Sequence, residues 1–303
     1  MEEKPNYIED AVSIAIGSQL ALLSFPLFRF SIVPISRGRE RWLGADAKLL
    51  GGKRFLPFYM QFKRPFAHTT PSRAQIIKDR NKLSPRLSTA PRTLLFSLQD
   101  KQKHHKDFQH NVLYRLRQKL QAQKRGDAAY VCPLFLDRQT YFLHSHMAGL
   151  LRWGRHWPSR PYDRHKVIVA TASGGSIDLP DVPVLSEHIS IPPHELVTTA
   201  AHKYSFTESG DEVCFHSPKH LPEGSLLFHQ WLGGLISSAS SPDSLRTLGD
   251  SRRDLEELVT VALGENQREF EYPEDPGHAW FAWGEHLSRC YAIEQYGVVA
   301  HEP

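Results

Sequence analysis

A chain of 303 residues, 40% hydrophobic and 23% charged, carries enough apolar material for one large core or two modest ones and lacks the composition of a disordered protein. Its three cysteines, Cys132, Cys214 and Cys290, lie far apart, which argues against a disulfide framework and a Cys-rich zinc site and for a reducing compartment. The formal charge of +4 is unevenly placed: bases outnumber acids from Arg29 to Arg125, and Asp243 to Glu274 is mostly acidic, a polarity that suits a basic face turned to a phosphate backbone.

The N-terminus opens with Glu2, Glu3, Glu9 and Asp10, the wrong charge for a secretory signal. The apolar stretch Ile14 to Phe30 is broken by Gly17, Gln19, Pro26 and Arg29 and falls short of a membrane span, so the expectation is a cytoplasmic protein without a membrane partner. Helical periodicity runs from Tyr7 to Leu23, with Ile8, Ala11, Val12, Ala15 and Ile16 on one broad side. Trp42–Leu50 and Arg54–Phe62 read as a β-hairpin turned at Gly51-Gly52, although Pro57 suits only an edge strand or a bulge. Pairing Leu50 with Phe55 sets Asp46 opposite Tyr59, and the two-residue strand period puts Tyr59, Gln61 and Lys63 on one face.

A loop with a short helix over Ser72–Arg80 follows, then a strand over Leu94–Leu98. Asp107–Gln123 is a strong helix, with Phe108, Val112, Leu116 and Leu120 at four-residue steps and Gly126-Asp127 as its stop. Ala128–Leu136 reads as a buried strand, and this succession implies a mixed sheet covered by helices. Beyond it the pattern predicts strands at Tyr141–Leu143, Lys166–Ala170 and Glu187–Ile191, and helices at Pro193–Tyr204, Leu226–Ser237, Leu248–Leu263 and Trp280–Tyr296. We divide the chain into a core over residues 1–170 and an accessory α+β region over 171–303 that ends in a helical extension, and whether this region is continuous with the core stays open at this point.

Phosphodiester hydrolysis needs a hard cation on oxygen ligands, a positioned water and positive charge near the attacked phosphate. Gly44-Ala45-Asp46, followed after fourteen residues by Gln61-Phe62-Lys63, resembles the signature of the PD-(D/E)xK restriction-endonuclease superfamily, in the Mrr-like variation where Gln replaces the second acid. The resemblance covers about residues 1 to 136 and implies an α/β, restriction-endonuclease-like mixed sheet flanked by helices. It implies that Asp46 binds Mg²⁺, with Mn²⁺ as a substitute, and that Gln61 adds its amide carbonyl as a weaker ligand. Lys63 would then orient the attacking water and stabilise phosphate charge. A Glu from the preceding helix completes the family's metal site, and Glu9 matches it, with Glu40 the competitor. The implied activity is a metal-dependent endonuclease on DNA, in keeping with defence against foreign DNA, alone, as a homo-oligomer or with a defence-system protein partner.

His110, Asn111, Arg115 and Lys119 on the Asp107–Gln123 helix are the expected nucleic-acid contacts there. Arg152 and Arg155, interleaved with Trp153, Trp157 and Tyr162, are expected to stack bases and hold backbone. Two other readings stay open. Because Gln61 is neutral, the chain reads alternatively as a catalytically weak or inactive nucleic-acid-binding or scaffolding component of a defence complex. His144 and His146, with His188 and His194 later, suggest a zinc hydrolase, although neither HExxH nor Cys-pair spacing accompanies them. Gly174-Gly175 belongs to no GxxxxGK[ST] loop, which argues against ATP hydrolysis.

Overall fold

The computed structural model describes residues 2–23, 30–35, 54–69, 74–83, 92–101, 105, 107–143, 168–170, 176–178, 183–216, 219–220, 225–239, 246–247 and 252–300. In chain order the elements are β1 (Glu2–Glu3), α1 (Glu9–Leu22), β2 (Phe30–Pro34), β3 (Arg54–Phe62), β4 (Phe66–Thr69), α2 (Gln75–Leu83), β5 (Arg92–Ser97), α3 (Gln109–Gln123) and β6 (Asp127–Pro133). There follow β7 (Ile168–Ala170), β8 (Ser176–Asp178), α4 (Pro183–Ser186), β9 (His188–Ile191), β10 (Lys203–Thr207), β11 (Cys214–Phe215), β12 (Lys219–His220) and β13 (Leu226–Leu227). The chain continues through α5 (Phe228–Ala239), β14 (Arg246–Thr247), α6 (Arg252–Leu263), α7 (Pro276–Tyr291) and β15 (Glu294–Ala300).

Apolar spacing accounts for the two helices nearest the site. In α1, Val12, Ile16 and Leu20 are fully buried at four-residue steps, and Glu9 and Asp10 complement the positive end of the helix dipole in the first turn. In α3, Val112, Leu116 and Leu120 do the same, and the helix stops where Lys124 turns left-handed at φ 53°. Gly126 then takes φ +135°, and a Cβ there would stand 2.1 Å from the Pro57 carbonyl oxygen, so the turn into β6 needs glycine.

The main sheet has the order β13-β9-β6-β3-β15-β2, with β14 also paired to β3. It is mixed: β3 and β6 run parallel, and the other pairs are antiparallel. A second sheet, β1-β4-β5-β10-β11-β12, is antiparallel throughout. Strand β3 is covered on both faces, which explains its near-continuous apolar sequence. Phe55 and Tyr59 join a core with α3, α6, α7 and the inner face of the second sheet, whereas Leu56, Phe58, Met60 and Phe62 join a core with α1, α4 and α5.

Among the described residues the architecture is thus α/β, with two large sheets, a two-stranded β7-β8 ribbon and flanking helices, and several expected elements change. Both long edges of β3 are occupied: Phe55 pairs with Val299 and Arg246, and Tyr59 with Gln295 and Ala128. Gln295 and Ala128 thus flank Tyr59, and the expected cross-strand residues Leu50 and Asp46 lie outside the described residues. Residues 42–52, with the expected first hairpin strand and its glycine turn, lie outside the described residues. Pro57 sits in a central strand, at the gap between the β14 and β6 ladders on one side. Residues 141–143 are helical rather than extended, 193–202 form no helix, and the last helix ends at Tyr291 so that the chain can return as β15. Strands β9 and β15, from beyond residue 170, join β3 and β6 in one sheet. Among the described residues no helix is long and apolar enough to cross a membrane.

Candidate active site

Strand β3 delivers Gln61 and Lys63 to the α3 side of the sheet, next to the parallel strand β6. The Lys63 N–H continues the ladder by donating to the Val131 carbonyl at 2.9 Å, so its backbone is fixed. Its side chain is buried, and Nζ has a long hydrogen bond, 3.5 Å, to Oε1 of Gln109 in the first turn of α3. Gln109 in turn donates Nε2–H to the Tyr291 carbonyl at the end of α7, tying the site to the last helix.

Burial is the largest influence on Lys63 and drives its ammonium pKa down; the Glu9 carboxylate pulls it partly back up. The thiol of Cys132 on β6 is pushed well up by burial, with Glu9 adding to the rise and Lys63 opposing it. Glu9, at the start of α1, is therefore within electrostatic reach of both groups. Gln61 is 1% exposed, and among the described residues neither its amide oxygen nor its amide nitrogen has a hydrogen-bond partner. Leaving such a group unsatisfied costs roughly 1–3 kcal/mol. A buried strand rarely keeps an orphaned amide without a use.

Of the four residues expected to form the catalytic centre, the structure brings Glu9, Gln61 and Lys63 to one region. Asp46 and its neighbour Glu40 lie outside the described residues. Sequence reasoning missed Gln109, because a glutamine at a helix start carries no signal of its tertiary partner. Beside Gln109 opens a cleft lined also by Gln99, Asp100, His105, Asp107, Cys290 and Tyr291. Within it His105 Nδ1 meets Glu269 at 3.2 Å. Although burial acts against it, hydrogen bonds from Asn111 and Arg115 hold the Asp107 carboxyl below the usual range.

The expected phosphate contacts on α3 each have partners within the fold, two of them buried and two at the surface. His110 is 2% exposed; its Nε2–H donates to the Glu195 carbonyl at 2.6 Å, and Nδ1 accepts from the Tyr130 hydroxyl at 2.7 Å. Burial pushes its pKa down to about 4, so it is neutral at pH 7. Asn111 bridges Asp107 and the backbone of Val197. Arg115 pairs with Asp107 and donates to the Ala262 carbonyl, and Lys119 pairs with Glu257 at 2.8 Å. These bonds fasten α3 to β6, to the segment at 195–197 and to α6; His110 and Asn111 are buried by them, whereas Arg115 and Lys119 stay partly exposed in their ion pairs. Arg152, Arg155, Trp153, Trp157 and Tyr162 lie outside the described residues, as do His144 and His146. His188 is fully buried between the Tyr141 hydroxyl and the Val184 carbonyl. Among the described residues no group of three or more His, Cys, Asp and Glu side chains is placed to hold a metal.

Comparison with family models, with curated proteins and with solved structures finds no match to this chain. The functional reading therefore rests on the residues themselves.

Proposed function

We propose that the chain is a metal-dependent endonuclease that hydrolyses DNA phosphodiester bonds, with its centre at Glu9, Asp46, Gln61 and Lys63. The observation that carries the reading is the orphaned amide of Gln61 beside the buried Lys63, with the Glu9 carboxylate acting on the same ammonium. An unpaired carbonyl oxygen and a carboxylate are the donor types that Mg²⁺ or Mn²⁺ takes, so these side chains fit a hard cation, with Asp46 as a further ligand. When bound, such a cation polarises a phosphoryl oxygen and acidifies an attacking water. Lys63, fixed by its ladder bond and by Gln109, orients that water and compensates the negative charge growing on the phosphate. In a buried site its charge acts with little solvent screening.

A second reading is favoured by the neutrality of Gln61 and by the lack of a three-donor group among the described residues. In it the protein binds nucleic acid, or scaffolds a defence complex, without cutting. Incubating the protein with plasmid and single-stranded DNA in Mg²⁺ or Mn²⁺ separates the two. Cleavage should be lost in Lys63→Met and in Asp46→Ala, and Gln61→Glu should lower the metal concentration required. Lys63→Met keeps the length of the side chain and should still unfold cooperatively in urea, so that lost cleavage is not lost folding. DNA binding without cleavage in either metal would favour the second reading.

A further inference from the structure

Residues Asn6, Tyr7 and Ile8 lead into α1 immediately before Glu9, and they are held against the short helical segment at 138–143. Asn6 donates to Asp137 at 2.9 Å and accepts from the Arg138 N–H. The rings of Tyr7 and Tyr141 meet edge-on at 5.2 Å. Arg64, the residue after Lys63, donates Nη1–H to the Tyr7 carbonyl at 3.3 Å. The surface beside this junction departs from an ordinary polar exterior: the chain neighbours of the two tyrosines, Ile8 and Phe142, are 60% and 63% exposed. Arg138 stacks on Phe142 with its guanidinium carbon 5.4 Å from the ring centroid. Among the described residues Arg138 has no ion pair. The adjacent Asp137 carboxylate instead accepts from Asn6 and from the Gln139 N–H at 3.2 Å.

We propose that Arg138 and Phe142 form a stacking platform for an unpaired base of single-stranded DNA. An exposed phenyl ring with one guanidinium on it offers a π surface for a base and a free positive charge for the adjoining phosphate. Such a contact needs the base face, which a duplex keeps stacked inside. Placing this strand at the entrance to Lys63 rests on the nuclease reading; base binding itself rests on the surface alone.

The test is fluorescence anisotropy with labelled oligo-dT and a labelled duplex of equal length, in EDTA so that no cutting occurs, using the full chain. The parent should prefer the single strand. Phe142→Ala should weaken that binding about ten- to hundredfold and leave the duplex unaffected. Phe142→Trp should retain it, and Arg138→Ala should weaken it and flatten its salt dependence. Because Phe142 is exposed, the variants should keep the parental urea midpoint. Unchanged oligo-dT binding in Phe142→Ala would overturn the platform, as would an equal loss for the duplex. A shift from dimer to monomer in that variant on size-exclusion chromatography with light scattering, without a change in oligo-dT binding, would reassign the patch to a second copy of the chain. Cleavage assays report separately on the nuclease reading: an inactive protein whose oligo-dT binding still depends on Phe142 retains the platform and loses the enzyme.

Discussion

Tyr296→Ala tests the position of β15 between β2 and β3. Tyr296 pairs with Phe58 on one side and Pro34 on the other, is 2% exposed, and stacks its ring on Phe58 with centroids 5.5 Å apart. Removing a buried aromatic side chain costs about 3–5 kcal/mol when the cavity cannot collapse, and here strands on both sides prevent collapse. Against a total stability of about 5–15 kcal/mol this is a large fraction. With a urea slope of about 3 kcal/mol per molar, the midpoint should fall by about 1–2 M. Ending the chain after Ile293 is the stronger perturbation, because it removes the ladder partner of both β2 and β3 and opens two long edges in one sheet. That protein should lose cooperative unfolding followed by far-ultraviolet circular dichroism. Removing residues 1–3 is the control: among the described residues β1 pairs with β4 alone, and the surface pair Arg92–Glu3 contributes at most about 1 kcal/mol. A chain ending at residue 293 that unfolds cooperatively within about 0.3 M of the parent would refute a central β15, since lost burial of this size must move the midpoint further.

Gly126→Ala should destabilise by roughly 3 kcal/mol or more, since it combines an unfavourable backbone conformation with a Cβ driven against the Pro57 carbonyl. A midpoint change equivalent to less than about 1 kcal/mol would mean that the turn between α3 and β6 is built differently. Acid should also destabilise the fold through three histidines. Burial depresses His110, His216 and His286 to about 4 each, from a usual value of 6.5. The unfolded chain takes up their protons as pH falls through 6.5, while the folded chain does so only near 4. Stability is therefore lost between those limits, at up to about 4 kcal/mol per pH unit, and levels off below them. Urea midpoints from pH 7.5 to 4.5 check the slope, and His110→Gln should remove about a third of it.

Local pattern made much of this protein legible. The four-residue steps in α1 and α3 predict those helices to within two residues at each end, and the two-residue period of β3 puts Gln61 and Lys63 on one face. Glu9 was reached through the family resemblance, and its charge acts on Lys63 in the structure. The strand at residues 294–300 was not legible: seven residues with a glycine in the middle follow a helix without a break, so the apolar positions continue its pattern. The basic face of α3 misled for a related reason. Arg115 and Lys119 look solvated until α6 supplies Ala262 and Glu257 from more than a hundred residues away.

The sequence by itself determined which residues share a face, because side-chain direction follows from backbone period within a few residues. Only the tertiary structure decided what lies across from them: β15 beside β3, Gln109 against Lys63, and partners on α6 for the α3 cations. Strand order and the pairing of buried polar groups are set by contacts between distant segments, whose balance of burial, hydrogen bonding and chain entropy no local window contains.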